Sequence, residues 1–523
     1  MAIGYPDFKR RATLATVALT VMFALVATAC GEPAVPIAAS SSTALATATA
    51  VPVPETPTPV PTPTLEPATG ADGPVPTPTP VVQPGLSSDL IRVAVIFDSE
   101  TAGAADGLFH DAFLGALAWE REVNENGGLG GRFVEVVPLD SRLFDHRSAL
   151  EEVCQGDFFA IIGSHSLGDF EGAELLGTED CNIADFPGQV YGARRAASPV
   201  TFLSNPFLND ARQAGPARYL VEKYPEASQN LGLFYYIALD LQNTAERQRE
   251  MLEREGMNVV FDLAADLEED PSERILNRWA ELGAESLVWT ADPGRLIELL
   301  NAFDEPLVVS DDDTPDDPNA DATEGQTIER PTFVLCEWGC YSEQFLLDGG
   351  DAIEGVYTWI PHSPFDSPNA PREFLLYRFM MDRVATDAGW SEISLQSWQA
   401  GRLFEAAYNT LISIEPEAPT RSQLIDVARA TDNYTANNVL SFTGPGRGEP
   451  TPCFVLMVVQ NGRWVQEHPQ PPRDKDCDEE NISELLGTRN LGVTAISATD
   501  SEEFAASDDG QPRDLDNPEE LEE

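Results

Sequence analysis

The chain has 523 residues, 42% of them hydrophobic, with 32 Lys and Arg against 87 Asp and Glu, a formal net charge of −55. At roughly 150 residues per domain, this length fits two or three domains with real cores. The charge excludes a sequence-independent nucleic-acid binder, which needs a basic face, and it disfavours anionic lipid surfaces.

The N-terminus reads as an export signal. Lys9, Arg10 and Arg11 precede an uncharged apolar run, Leu14 to Ala29, too short and wrongly flanked for a spanning helix. The run ends Ala27-Thr28-Ala29-Cys30, which resembles the lipobox of bacterial lipoproteins, with Ala27 where Leu is usual. That resemblance implies a lipidated Cys30 at the start of the mature chain; the alternatives are an ordinary cleaved signal with a stray Cys and a surviving transmembrane anchor. Residues 31–88 carry Pro at 52, 54, 57, 59, 61, 63, 67, 74, 76, 78, 80 and 84 among Thr, Val, Ala and Ser. Such a segment lacks the apolar content to offset its ordering entropy and is expected to be an extended tether.

With Cys30 set aside, six cysteines remain: Cys154, Cys181, Cys336, Cys340, Cys453 and Cys477. In an exported protein they suit disulfides, and many pairings are open. Neighbour pairing, 154–181, 336–340 and 453–477, is the expectation. The rival reading is a metal site, but no Cys-x-x-Cys occurs and the five His are scattered. No metal and no cofactor is expected.

From residue 91 the chain alternates short apolar runs with helix-period stretches. Ile91 to Phe97 reads as a strand buried on both faces. A helix through Phe109, Phe113, Ala116, Leu117 and Glu120 follows, stopped by Gly127 to Gly131. Strand Phe133–Leu139, helix Ser148–Val153 and strand Phe158–Ile162 come next. Then the spacing predicts helix Asp210–Lys223, strand Leu231–Tyr236, helix Asn243–Glu255, strand Asn258–Leu263, helix Pro271–Leu282 and strand Ser286–Thr290. Asp292-Pro293 marks another helix start. Such alternation implies parallel sheets covered on both sides, an α/β fold, and its length implies two doubly wound lobes. Helices Pro371–Asp387, Ser394–Ile414 and Arg421–Ala430 precede a hairpin, Phe454–Val459 and Trp464-Val465 around Asn461-Gly462.

The stretch IRVAVIFDSETAGAADG…AWEREVNENGGLGGRFVEVVPLDS, with Asn124, Gly127, Gly128, Gly131 and Asp140 in frame, resembles the opening of the type I periplasmic binding proteins, Leu/Ile/Val-binding branch. FAIIGS, RQAGPARYLVEKYP and PTFVLCEWGCYSEQFLLDGGDAIEGVYTW resemble later landmarks of that family in the same order. The resemblance spans roughly residues 89 to 470. It implies two doubly wound parallel-sheet lobes joined by a three-segment hinge, with a small ligand between them. The expected organisation is a signal at 1–30, a disordered tether at 31–88, an N-terminal lobe from 89–205 plus 361–440, a C-terminal lobe from 206–360 plus 441–480, and a disordered acidic tail at 499–523. In open parallel sheets the ligand belongs at the carboxyl ends of the strands.

Ser164 and Ser166 follow strand Phe158–Ile162, where hydroxyls and backbone N–H groups can hold a carboxylate; the bland alternative is helix capping. The run Gly163-Ser164-His165-Ser166-Leu167-Gly168 is one residue too long for a nucleophile elbow. Glu337, by the resemblance, accepts a ligand ammonium, an apt task for a carboxylate in a dry cleft; otherwise it is a loop acid. Gln189 and Tyr191 occupy the place of a further ligand loop, and Asp240 lies near another. Ala291 and Asp292 stand where those binders often carry an aromatic, which argues against branched-chain amino acids. Tyr236 reads more simply as a core aromatic. The acid-rich Asp311 to Asp321 lacks the spacing of a calcium loop, and Gly444, Gly446 and Gly448 do not form a phosphate loop. Trp398 and Phe404 read as core.

The expected function is an extracytoplasmic, lipid-anchored solute-binding lipoprotein for an ABC-type importer, capturing an amino acid, amide or related solute. It is not an enzyme. A ligand-sensing receptor component of the same fold is the alternative. Its partners would be the small-molecule ligand, a membrane permease or sensor, and the membrane through the lipid anchor.

Overall fold

The computed structural model describes residues 83–99, 109–143, 145–206, 211–236, 241–267, 269–304, 328–337, 339–386, 389–416 and 418–485. The chain divides into Met1–Pro76 and Thr77–Glu523, and every described residue belongs to the second unit. Cys30, the signal, the acid-rich 311–321 segment and the 499–523 tail lie outside the described residues.

Strands β1 (Leu90–Phe97), β2 (Phe133–Asp140), β3 (Ala160–Ile162) and β4 (Ala184–Phe186) form a parallel sheet in the order β2-β1-β3-β4. Burial explains the order. The last five residues of β1 are buried, as a central strand requires, whereas β2 alternates and leaves Phe133 54% exposed at the edge. Helices α1 (His110–Glu125) and α2 (His146–Gln155) follow β1 and β2. Helix α10 (Glu392–Ile414) returns from late in the chain to cover this sheet, packing on α1, β3 and β4. The helices approach closely because glycines allow it: a Cβ on Gly115 would lie 2.0 Å from Ser394 O, and one on Gly401 2.4 Å from the Trp119 ring. Helices α9 (Arg372–Val384) and α11 (Arg421–Arg429) complete the layer. Trp398 and Phe404 are fully buried core.

The second sheet has seven strands in the order β12-β11-β10-β9-β8-β6-β7. Strands β6 (Leu231–Tyr236), β7 (Val259–Ala265), β8 (Ser286–Thr290), β9 (Phe333–Cys336) and β10 (Val356–Ile360) are parallel. Alternate residues enter different cores. Leu233, Val288 and Leu335 face Leu220 of α4 (Gly215–Lys223) and Leu252 of α5 (Leu241–Arg254). Phe234, Trp289 and Val334 face the other side, with α6 (Ser272–Leu282), α7 (Pro293–Ala302) and α8 (Glu343–Gly349). Both faces are thus apolar and covered, the condition for a doubly wound sheet. Strands β11 (Val455–Val459) and β12 (Trp464–His468) close the edge as an antiparallel hairpin. Asn461 and Gly462 have φ of 53° and 68°, the paired left-handed residues of a two-residue turn.

Three strands of chain cross between the sheets and are stitched together. Thr443 Oγ1 donates to Ser204 O at 2.7 Å, Thr451 N to Asn205 Oδ1 at 3.0 Å, and His362 bridges Leu440. The start of the helix expected over Asp210–Lys223 is instead β5 (Ala211–Gln213), paired with β13 (Ile482–Glu484). A partner some 270 residues away overrides the local pattern, and Pro216 starts the helix after it. Residues 83–88 also depart from the expected tether. Leu86 bridges Ile91, and Gly85 N donates to Asp157 Oδ1 at 2.5 Å, so this segment packs on the first sheet.

The cysteines pair as 154–181, 336–340 and 453–477.

Candidate functional site

The parallel strands of both sheets aim their carboxyl ends at the region between the sheets. At the first sheet's edge, Asp98 follows β1 and is fully buried. Its carboxylate accepts from Leu143 N at 3.0 Å, Leu167 N at 2.8 Å, Ser166 Oγ at 3.2 Å and Ser141 Oγ. Burial pushes its pKa up, and these bonds pull against that rise. Ser164 Oγ accepts from Ile96 N at 3.0 Å. Both serines expected to face a ligand are therefore fully buried and turned into the protein's own network. The acid that follows β1 took the donors that the motif alone left open.

A second internal carboxylate sits beside it. Asp169 accepts from Tyr191 N at 2.9 Å and Gly192 N at 2.6 Å. Arg195 makes a bidentate pair with Asp185 at 2.8 and 2.9 Å and stands 3.7 Å from Asp169; all three side chains are fully buried. Burial outweighs the more distant guanidinium and pushes Asp169 up to about 7. This network fixes the loop that carries Tyr191. Tyr191 stacks on Phe109 at 5.6 Å between ring centres, and His165 lies 5.6 Å from Phe109. Gln189 is part-buried beside them, its N–H 3.4 Å from Ser164 O. His165 is fully buried and held neutral, its pKa pushed down to about 3 by burial and then by Arg195.

At the second sheet's edge, Glu337 follows β9, and its N–H donates to Trp289 O at 3.0 Å. The Cys336–Cys340 bridge closes the loop around it. Glu337 Oε2 accepts from Trp359 Nε1 at 2.7 Å. Burial pushes Glu337 up to about 7, against the Trp359 bond, the charge of Arg212 and the nearby Gln248 amide. Arg212, on β5, is itself lowered to about 10 by burial, which Glu337 opposes and Arg247 reinforces. Glu392 opens α10 on the same side. Burial and then the like charge of Glu337 push it up to about 7, against a bond from Gln396. Its N–H donates to Tyr341 O at 3.1 Å, while Ser397 Oγ, further along α10, donates to Gly163 O at 2.7 Å. The first turns of α10 thus span from the Glu337 loop to the end of β3. Thr244 Oγ1 of α5 reaches Tyr191 O at 3.4 Å, which brings the two edges into contact.

Of the sequence-derived candidates, Glu337, Gln189 and Tyr191 stand at these edges. Ser164 and Ser166 are there but consumed, and Asp240 lies outside the described residues. Tyr236 is buried, edge-on to Phe234, as a core aromatic. His165, Gln248, Trp359, Arg212 and Glu392 were not singled out, because only folding brings them to this place. His165, Gln248 and Thr290 carry buried side-chain atoms with no hydrogen-bond partner among the described residues. The Gln248 amide leans on Glu337, yet its Nε2 reaches no acceptor at good geometry. Unmet buried donors and acceptors are uncommon in folded proteins and call for an explanation. Surface depressions of about 430 Å³ beside Leu117 and Val384, and about 450 Å³ beside Arg218 and Leu485, lie away from the strand ends. Neither is lined by those three residues, so the strand ends make the better site.

No family model and no curated protein matches the chain. Solved structures do. A fatty acid ABC transporter substrate-binding protein from Thermomonospora curvata superposes with a TM-score of 0.59 at 16% identity, covering 76% of this chain and 95% of that one. The leucine-binding protein of Thermotoga maritima gives 0.54 at 14%, covering 72% and 97%. An ABC transporter solute-binding protein from R. palustris, solved with benzoate, gives 0.55 at 14%, covering 74% and 98%. At these identities the likeness is one of fold: the chain has the two-lobed α/β fold of the type I periplasmic binding proteins.

Proposed function

We propose that this chain is an extracytoplasmic solute-binding protein that captures a small molecule between its lobes and presents it to an ABC-type membrane permease. One observation carries the reading: where the strands of both sheets end, Gln248 and Thr290 at the Glu337 edge and His165 at the facing edge hold buried polar atoms with no partner among the described residues. A ligand there would satisfy them and touch both lobes, so it would favour the closed state by differential contact. The fold likeness to ABC transporter substrate-binding proteins supports transport. Those neighbours are named for fatty acids, leucine and benzoate, which points to no single ligand class. Three disulfides suit an oxidising compartment. Lipidation at Cys30 would tether the domain to the membrane through the Pro-rich segment.

A thermal-shift screen of amines, amino acids, organic acids and sugars tests the capture role. A ligand at a hundred times its Kd adds about 2.7 kcal/mol. Absence of any stabilising solute would remove the reading. Mass spectrometry of the membrane fraction tests the tether; an unmodified Cys30 within an intact N-terminus would exclude lipidation.

A further inference from the structure

The two edges of the site are unequal in charge. On the first lobe, several strand-end donors among the described residues are committed to the protein's own acids. Ser166 Oγ and Leu167 N serve Asp98, while Tyr191 N and Gly192 N serve Asp169. Asp140 takes Ser99 N at 3.0 Å and Arg142 N at 2.9 Å in the same way. Three of the protein's own carboxylates therefore fill the positions where strand-end loops bind anions, and each would repel another. The fully buried Arg195 is held by Asp185.

The other edge carries two further acids, Glu337 and Glu392: the loop after Glu337 lies against the start of α10, with Glu392 N donating to Tyr341 O at 3.1 Å and Glu343 N to Trp390 O at 3.0 Å, and the charge of Glu337 raises Glu392. Arg212 stands beside Glu337, and Arg247 pairs with Glu250 at 3.0 Å. With both acids ionised, the described residues of the cluster set two carboxylates against Arg212, an ionisation that burial resists and a cation would favour. Trp359 is bonded to Glu337; on the facing edge Tyr191 stacks on Phe109 next to the neutral imidazole of His165, whose nitrogens are both unpartnered among the described residues, and Thr244 links that edge to the helix that carries Gln248. Aromatic faces and carboxylates together favour a cation. Gln248, 6% exposed and with an unpartnered Nε2 at Glu337, is a second sign of a missing ligand.

Resting on the solute-binding reading above, we propose that the ligand is a small organic cation without a carboxylate, an amine or an amino amide, held between Glu337 and Glu392. Its charge completes the cluster, and its apolar part lies against the aromatic rings. Glu392 sits on α10, which is anchored to the first lobe at Gly163, and Glu337 sits on the second. One cationic group would thus reinforce the contact that Glu392 N and Tyr341 O already make between α10 and the Glu337 loop.

Calorimetric titration of the full chain with two matched series decides it. One is phenethylamine, phenylalaninamide, phenylalanine and 3-phenylpropanoate; the other is isoamylamine, leucinamide, leucine and 4-methylpentanoate. The expected result is binding of the amines or amides, with the amino acids at least about tenfold weaker and the plain acids silent. Glu392→Gln should weaken the bound amine about tenfold or more, with circular dichroism unchanged, and Glu392→Asp should keep part of the affinity. An amino acid binding as tightly as its amine, with its carboxylate on Arg212, would overturn the proposal while leaving the solute-binding reading intact. Unchanged amine affinity in Glu392→Gln would overturn it as well. If no amine binds here or in the wider screen, the cationic class is wrong. A neutral or acidic hit in that screen then keeps the solute-binding reading, and no hit removes both.

Discussion

Trp359 donates its indole N–H to Glu337 at 2.7 Å and so fixes one oxygen of a carboxylate that burial would otherwise keep protonated. Arg212 and the Gln248 amide lie by the same carboxylate. The indole bond joins neighbouring strands of one sheet, β9 and β10, so it sets the acid in place before any ligand arrives. Preorganisation of this kind lowers the ordering that binding must supply.

Glu337→Gln should weaken an amine-bearing ligand roughly 30-fold or more, since an unpaired ammonium in a desolvated cleft costs about 2–5 kcal/mol. The ligand-free protein should melt at the same temperature or slightly higher at pH 7. A buried acid with a raised pKa opposes folding once it is charged. Paired calorimetry and thermal scans read both effects; equal affinity would make Glu337 a bystander.

Glu337, Glu392 and Asp169 are all pushed up to about 7 from carboxylate values near 4. Between those limits the folded state holds more protons than the unfolded one. Stability from these groups is therefore fully present at low pH and is lost as pH rises through about 7. Thermal midpoints measured from pH 4.5 to 7.5 should fall less steeply in Glu392→Gln than in the parent chain. Binding a cation favours the charged carboxylates, so at pH 7 it should release protons. Titrations in buffers of different ionisation enthalpy would reveal this as a shift in apparent heat.

Arg195→Met leaves Asp185 and Asp169 buried without their cation. Breaking a buried pair by removing one partner typically costs about 3–5 kcal/mol. Urea unfolding should show a loss of this size, and ligand affinity should drop as well because Asp169 positions the Tyr191 loop. A loss under about 1 kcal/mol would mean that packing alone holds the loop.

The bridges should rank by the loop each closes. Sequence separations of 4 for Cys336–Cys340 and 27 for Cys154–Cys181 give chain-entropy contributions of about 2 and 3.5 kcal/mol. Replacing Cys154 and Cys181 with Ala should therefore lower stability more. Replacing Cys336 and Cys340 should weaken ligand binding more, because their loop carries Glu337. Denaturant titrations and calorimetry of the two double variants would show whether this order is inverted.

Much of the architecture was legible in residue order. Apolar runs such as Leu231–Tyr236 and Ser286–Thr290 are strands over those same residues, because a strand buried on both faces needs a continuous apolar run. Asp292 caps α7 through Arg295 N at 2.9 Å, and Asn461-Gly462 makes its hairpin, because both signals are local chemistry. The place of Glu337, directly after β9, was legible through the family frame around it. The β5–β13 pair was not, since nothing near Ala211 announces a partner some 270 residues away.

What the sequence determined by itself is what short-range physics can encode: which segments are strands or helices, where they stop, and that both sheets are covered. What only the tertiary structure decided is which polar groups are already satisfied. Ser164 and Ser166 look like ligand donors until the chain folds and places Asp98 against the Ser166 hydroxyl. Glu392 looks like a helix-start acid until α10 carries it to the part-buried Glu337, whose charge raises it. Hydrogen bonds and charges act over a few ångströms of space rather than along the chain, so the fold had to assemble before the site's chemistry could be read.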